Sequence, residues 1–212
     1  IKDLTPEPQA RAIFSGWSRD LKSFYYSSNK RDKKFLDLYE MDIATYESKL
    51  LFKNEQAFTG ALVSKDKRYI ALDKPDTRNN SDVYLYDTKT KKLKNITAHE
   101  GDISNSSNCF SHDSKTLFIQ TDKDHEFTYI ISYDLETGKT AEVIKRNWGI
   151  SFMKFSWNEN YRVVGVNNDG RTVLEILDRK NNKTIEIKGL PAGDVKSVLF
   201  SRSEKLMAFY LG

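Results

Sequence analysis

Ser64-Lys65-Asp66-Lys67-Arg68 runs into Tyr69-Ile70-Ala71-Leu72, and after a polar stretch comes Val83-Tyr84-Leu85-Tyr86-Asp87. This passage decides the fold because the chain repeats it. Its opening mark, a Ser followed by a polar turn, recurs at Ser18-Arg19-Asp20-Leu21-Lys22, Ser111-His112-Asp113-Ser114-Lys115, Ser156-Trp157-Asn158-Glu159-Asn160 and Ser201-Arg202-Ser203-Glu204-Lys205. The five serines are 46, 47, 45 and 45 residues apart. A second mark keeps step: an Asp closes an apolar strand at Asp42, Asp87, Asp134 and Asp178, spaced 45, 47 and 44 residues. A strand-rich repeat of roughly 40–50 residues predicts a β-propeller with one blade per repeat.

Within the second repeat, residues 57–63 form an apolar first strand, 69–72 the second and 83–86 the third. Leu93-Lys94-Asn95-Ile96 alternates, as an outer edge strand should. Phe24-Tyr25-Tyr26 and Leu38-Tyr39-Glu40-Met41 fill equivalent places in the first repeat, and Leu117-Phe118-Ile119 and residues 129–133 in the third. Val163-Val164-Gly165-Val166 and residues 173–177 do so in the fourth. The expected fold class is therefore all-β: a propeller fragment of four four-stranded blades and the start of a fifth. The blades fall near 10–52, 57–97, 103–145, 150–188 and 195–212, the last incomplete. Residues 1–5 read as the outer strand of a preceding blade. The chain opens on Ile1 rather than Met, so its start is not expected to be a native terminus.

The marks have a structural reason. An Asp or Ser that opens a turn can accept a hydrogen bond from a backbone N–H two residues on, which closes the turn without glycine. Catalytic carboxylates would not recur in every repeat. Phe110, Phe155 and Phe200 precede the Ser mark at one repeat position and are expected to be buried between blades.

Composition adds limits. The 212 residues are 38% hydrophobic, enough for one domain with a sizeable core. With 34 basic and 30 acidic residues, the net charge of +4 describes a mixed, solvated surface rather than a nucleic-acid footprint. No apolar run is long enough for a transmembrane helix. The single cysteine, Cys109, reads as a small buried hydrophobe, and the compartment stays open.

No catalytic centre can be assembled. The nearest string to a Gly-x-Ser-x-Gly elbow, Gly16-Trp17-Ser18, sits in a turn between strands, whereas the elbow needs a strand-to-helix turn. His99, His112 and His125 occupy three different repeat positions, with no pairing at metal-ligand spacing. Asp122-Lys123-Asp124-His125-Glu126 resembles the start of a calcium loop, but Phe127 stands where Gly is required and Tyr133 where Glu is required. No cofactor or metal is expected. Binding is better sought on the connections between second and third strands, over 27–37, 73–82, 121–127 and 167–171, which vary while the other turns stay short. Arg31, Asp32, Arg78, His125, Asp169 and Arg171 are the candidate binding residues there.

The third strands end in Met41-Asp42, Tyr86-Asp87, Tyr133-Asp134 and Leu177-Asp178, never Trp-Asp, so this is not the WD repeat. The Ser-x-Asp-x-Lys mark is similar to the propeller repeats of TolB and of prolyl oligopeptidase-like serine peptidases. Longer strings resemble the peptidases: Phe14-Ser15-Gly16-Trp17-Ser18, Asp37-Leu38-Tyr39-Glu40-Met41-Asp42, His99-Glu100-Gly101-Asp102, Arg162-Val163-Val164-Gly165-Val166-Asn167 and Leu190-Pro191-Ala192-Gly193-Asp194. That resemblance implies a non-catalytic cap that gates a C-terminal α/β-hydrolase domain cleaving short peptides. No adjacent Glu-Glu pair is present, so dipeptidyl specificity does not carry over. The alternative it implies is a TolB-like interaction propeller without enzyme activity. A fifth blade ending after Leu206-Met207-Ala208-Phe209-Tyr210-Leu211 would expose a strand edge and apolar faces, which predicts self-association through the terminal blades.

Overall fold

The computed structural model describes residues 2–189 and 193–212. It contains eighteen strands and, among the described residues, no helix. The first sheet holds β1 (Ala12–Trp17), β2 (Ser23–Asp32), β3 (Phe35–Asp42) and β4 (Ser48–Phe52). The second holds β5 (Gly60–Val63), β6 (Tyr69–Pro75), β7 (Ser81–Asp87) and β8 (Leu93–Asn95). β9 (Asn105–Phe110), β10 (Thr116–Thr121), β11 (Tyr129–Asp134) and β12 (Thr140–Ile144) make the third. β13 (Gly149–Phe155), β14 (Tyr161–Asn168), β15 (Arg171–Asp178) and β16 (Lys183–Ile185) make the fourth, and β17 (Val195–Phe200) pairs with β18 (Met207–Leu211) in the fifth. In every sheet the spatial order is the chain order. This is the up-and-down blade of a β-propeller, four times complete, with two strands of a fifth.

Both turn marks close as the residue types dictate. Ser64 Oγ donates to Asp66 Oδ1 at 2.6 Å and accepts from Tyr69 N–H at 2.9 Å, while Asp66 accepts from Arg68 N–H at 3.1 Å. Ser18 and Ser111 repeat this bonding, and Ser156 and Ser201 keep the acceptance from the residue five positions on. The third residue after each Ser is left-handed: Leu21, Lys67, Ser114, Glu159 and Glu204 have φ of 58°, 63°, 57°, 58° and 57°. Asp42, Asp87, Asp134 and Asp178 each accept the amides two and three residues on, and these turn bonds help hold all four carboxyls below their ordinary range.

The chain forms two compact units, one up to Ser107 and one from Asn108 onward. Each is built on inner strands that are buried on both faces, as sandwiched sheets require. In the first unit, successive residues of β2 serve two clusters. Tyr25 packs with Leu38, Phe52, Phe58, Ile70 and Leu72, and Tyr26 with Tyr39 and Met41. In the second, Val164 packs with Ile130, Ile144, Ile150 and Met153, while its neighbour Val163 packs with Ile176, Val195 and Val198. Adjacent strand residues point to opposite faces, so one dipeptide joins two interfaces.

Several expectations need correction. Residues 2–5 form no strand, and Ile1 lies outside the described residues. Asp3 accepts the Thr5 amide at 2.9 Å, a local turn that competes with a ladder, and Pro6 and Pro8 supply no donor. The connection over 27–37 is mostly strand, because β2 and β3 extend to a two-residue turn at Lys33-Lys34. The connection over 167–171 shrinks to Asp169-Gly170, with φ of 51° and 77°. Positive φ at both central residues is what a twisted two-residue hairpin demands, and Asp-Gly supplies it. Of these four connections, 76–80 and 122–128 are the longer loops. Phe110 is buried, but Phe155 and Phe200 are only partly so, as is Cys109. Leu190, Pro191 and Ala192 of the motif before the fifth sheet lie outside the described residues.

Candidate functional site

The second unit carries a cleft of about 430 Å³ lined by Ser151, Phe152, Asn167, Gly170, Thr172, Asp194, Val195 and Lys196. Its walls come from local irregularities. The β13 ladder shifts register between Ile150 and Phe152, and the β17 ladder between Val195 and Ser197. Ser151 and Lys196 are the residues displaced by these bulges, and a bulge re-aims the side chain it carries. Phe152 sits opposite Gly165, where a Cβ would lie 2.5 Å from its ring. Glycine at 165 is therefore what lets the ring lie across β14. The Asp169-Gly170 turn forms one rim.

The cleft is polar and charged. Asp194 accepts from Thr172 N–H at 2.8 Å and from Lys196 Nζ at 2.5 Å. Lys196 first, and then Thr172, hold its carboxyl down to about 2. The site thus presents a permanent carboxylate–ammonium pair, two hydroxyls, one amide and one aromatic ring. That set can orient a polar, charged chain segment. The carboxylate beside Thr172 is Asp194, and held down to about 2 it is too weak a base to make a nucleophile of that hydroxyl.

The six residues singled out from the sequence are distributed as follows. Arg31 forks onto Asp37, with Nε at 2.6 Å from Oδ2 and Nη2 at 2.8 Å from Oδ1, and Nη2 also reaches the Asn54 carbonyl at 2.9 Å. Asp37 is fully buried and also accepts the Asn54 amide at 2.8 Å, so the pair fastens the start of the connection from β4 to β5. Asp32 accepts the Lys34 amide in the adjoining turn. Arg78 is exposed in the 76–80 loop. His125 is half-buried against the rings of Phe127 and Tyr129. Asp169 and Arg171 flank Gly170, which lines the cleft, while inside it stand Asp194, last residue of the string before β17, and Lys196, within β17, neither singled out as a binding residue from the sequence.

His99 proves to be a fastening too. Its side chain is only 7% exposed, with Nδ1 at 3.3 Å from Asp82 Oδ1 and 2.9 Å from the Thr97 carbonyl, and Nε2 at 3.1 Å from Asn80 Oδ1. Among the described residues neither ring nitrogen meets a hydroxyl, so the pair lacks the nucleophile that a catalytic triad requires. Among the described residues, no three His, Cys, Asp or Glu side chains are grouped to hold a metal, and no helix is long and apolar enough to cross a membrane.

Against known proteins, the family described as prolyl oligopeptidase, N-terminal β-propeller domain, matches residues 2–210. The chain belongs to that family. No curated protein matches it. Solved structures similar to this family member include TolB from Acinetobacter baumannii, at TM-score 0.64 and 16% identity over 82% of this chain and 42% of that one. Another comes from an analysis of two prolyl endopeptidases, at TM-score 0.67 and 13% identity over 93% of this chain and 31% of the other. Prolyl oligopeptidase B from Galerina marginata, bound to a 35mer hydrolysis and macrocyclization substrate, gives TM-score 0.67 and 13% identity over 94% of this chain and 30% of its own. At such identities the likeness is one of fold, and the chain spans under half the length of each of these proteins.

Proposed function

We propose that this chain is the non-catalytic propeller of a prolyl oligopeptidase-like serine peptidase. It caps the active site of a C-terminal α/β-hydrolase domain and admits short peptides while excluding folded proteins. The observation that carries this reading is the family match over residues 2–210. The strand connections supply the docking contacts: Arg78, His125, Asp169 and Arg171 reach partner or peptide, with Arg31 and Asp32 at the β2–β3 edge and the charge of Arg31 committed to Asp37. The full-length protein should cleave a short internally quenched peptide, spare the same sequence inside a folded protein, and lose activity to a serine-directed inhibitor. The 212-residue chain alone should cleave neither. Full-length protein without inhibitor-sensitive cleavage would favour the second reading, a TolB-like interaction module, for which the likeness to TolB at TM-score 0.64 speaks.

The same chain self-associates in our reading. Phe14 and Trp17 of β1 are 57% and 52% exposed, and Leu199, Leu206 and Tyr210 are 64%, 73% and 66% exposed. Large apolar side chains left bare in this number favour contact between copies. Sedimentation at rising concentration should show association that Phe14→Lys or Tyr210→Lys weakens. A monomer at every concentration would sink the idea.

A further inference from the structure

The second unit contains an arginine whose charge its neighbours do not balance. Arg162 lies in β14, paired with Phe155 on one side and Leu177 on the other. Its Nε is sealed from solvent and meets no acceptor among the described residues. Loss of solvation, then Arg146 and then Arg179, all disfavour its charged form, and Glu175 alone favours it. Glu175 is committed elsewhere. Arg146 forks onto it, with Nε at 2.8 Å from Oε1 and Nη2 at 2.6 Å from Oε2. Arg179 has its own acid, Glu159 Oε2 at 2.9 Å, and its guanidinium lies 4.9 Å from the Phe155 ring centre. Three guanidiniums therefore share two carboxylates, and the one left over is the one with the buried nitrogen.

A buried charge is tolerated when it is paired and hydrogen-bonded. A guanidinium fork matches an anion with two acceptor oxygens. The Arg146 and Arg179 side chains are 39% and 41% exposed, so an anion can reach the cluster from solvent. We propose that Arg162, Arg146 and Arg179 form a binding site for a single oxyanion, phosphate or carboxylate. One negative charge balances the set, since three arginines less two glutamates leave one positive charge. The cluster lies where β14 begins and β15 ends, away from the cleft at Asp194, so this site is independent of the gating reading.

The test is a titration of the purified chain with sodium phosphate, chloride making up constant ionic strength, with the thermal midpoint as readout. A short peptide with a free C-terminal carboxylate and its C-terminal amide are titrated in parallel. Phosphate should raise the midpoint along a saturating binding curve. Arg162→Met should weaken that response about tenfold or more, the worth of a hydrogen bond to a charged group. Arg179→Gln, at a side chain 41% exposed, should weaken it several-fold. A response to the free-carboxylate peptide that its amide lacks identifies a peptide terminus as the ligand, and a response to phosphate alone identifies the free anion. Equal midpoints in phosphate and chloride overturn the proposal. So does a crystal structure grown in phosphate that shows only a water on Arg162 Nε.

Discussion

Asp73 and Gly60 stand opposite each other on β6 and β5, and a Cβ on Gly60 would lie 2.8 Å from Asp73 Oδ2. The carboxyl cannot swing clear without loss, because its Oδ1 accepts the Ser107 amide at 2.8 Å. A residue that a strand pattern treats as a weak link is thus the seat of a carboxyl that ties β6 to β9.

Gly60→Ala should cost on the order of 1–3 kcal/mol, the range for forcing an extra methyl into a filled space. Urea melts of the variant measure it, and Gly60→Ala combined with Asp73→Ser should recover most of the loss. A single variant as stable as the parent would mean that the carboxyl moves freely.

Burial pushes the Asp73 carboxyl up, against the Ser107 hydrogen bond that pulls it down. A carboxyl whose folded pKa lies above its unfolded one favours folding fully below the unfolded value, near 3.8. That contribution disappears as pH rises through the folded value. Asp73→Asn keeps an acceptor for Ser107 and removes the titration. The parent should therefore lose stability relative to Asp73→Asn between acidic and neutral pH, as read from paired thermal melts. A constant difference across that range contradicts the raised pKa.

Phe110 and Phe155 share a repeat position but not an environment. Phe110 is 6% exposed, while Phe155 is half-buried beside Phe118, with ring centres 5.4 Å apart, and under Arg179. Phe110→Ala should cost about 3–5 kcal/mol and Phe155→Ala clearly less. Chemical denaturation of the two variants ranks them, and the reverse order would contradict this packing.

Ser64→Ala strips the Tyr69 amide of its side-chain acceptor and Asp66 of its hydroxyl donor, at a residue 1% exposed. A buried group left short of a partner costs roughly 1–3 kcal/mol. The same substitution at Ser201, an exposed-side mark that bonds Leu206 at 3.1 Å, should cost less. Equal losses in a melt series would show that the mark is not a buried turn lock.

The repeat was legible because its turns are made by side chains. Ser64 with Asp66, and Asp87 with the amides of Lys89 and Thr90, are local bonds between residues two to five apart, so sequence spacing and geometry coincide. The partnerships that cross between strands were not legible. Arg31 looked like a free loop cation, yet its acid, Asp37, stands across a hairpin whose turn is only two residues long. The pairing of Asp194 with Lys196 in a cleft was not legible, because that cleft depends on two ladder bulges that leave no mark in residue type. Half-burial of Phe155 depends on neighbours that spacing alone does not name.

Left-handed residues after the Ser mark have a further consequence. Holding a non-glycine residue there costs roughly 1–2 kcal/mol, and glycine would escape it. But glycine would have no side chain, and three of these side chains fasten one sheet to the one before it. Lys67 reaches Glu40 at 2.7 Å, Glu159 the His112 amide at 2.5 Å, and Glu204 the Asn158 amide at 2.5 Å. The second, fourth and fifth repeats thus each carry a latch to their predecessor at one fixed place in their own sequence. Duplicating or deleting one repeat would copy or remove the latch with it and leave the next junction ready-made. Such a module lets a lineage change how many sheets it strings together without inventing a new joint.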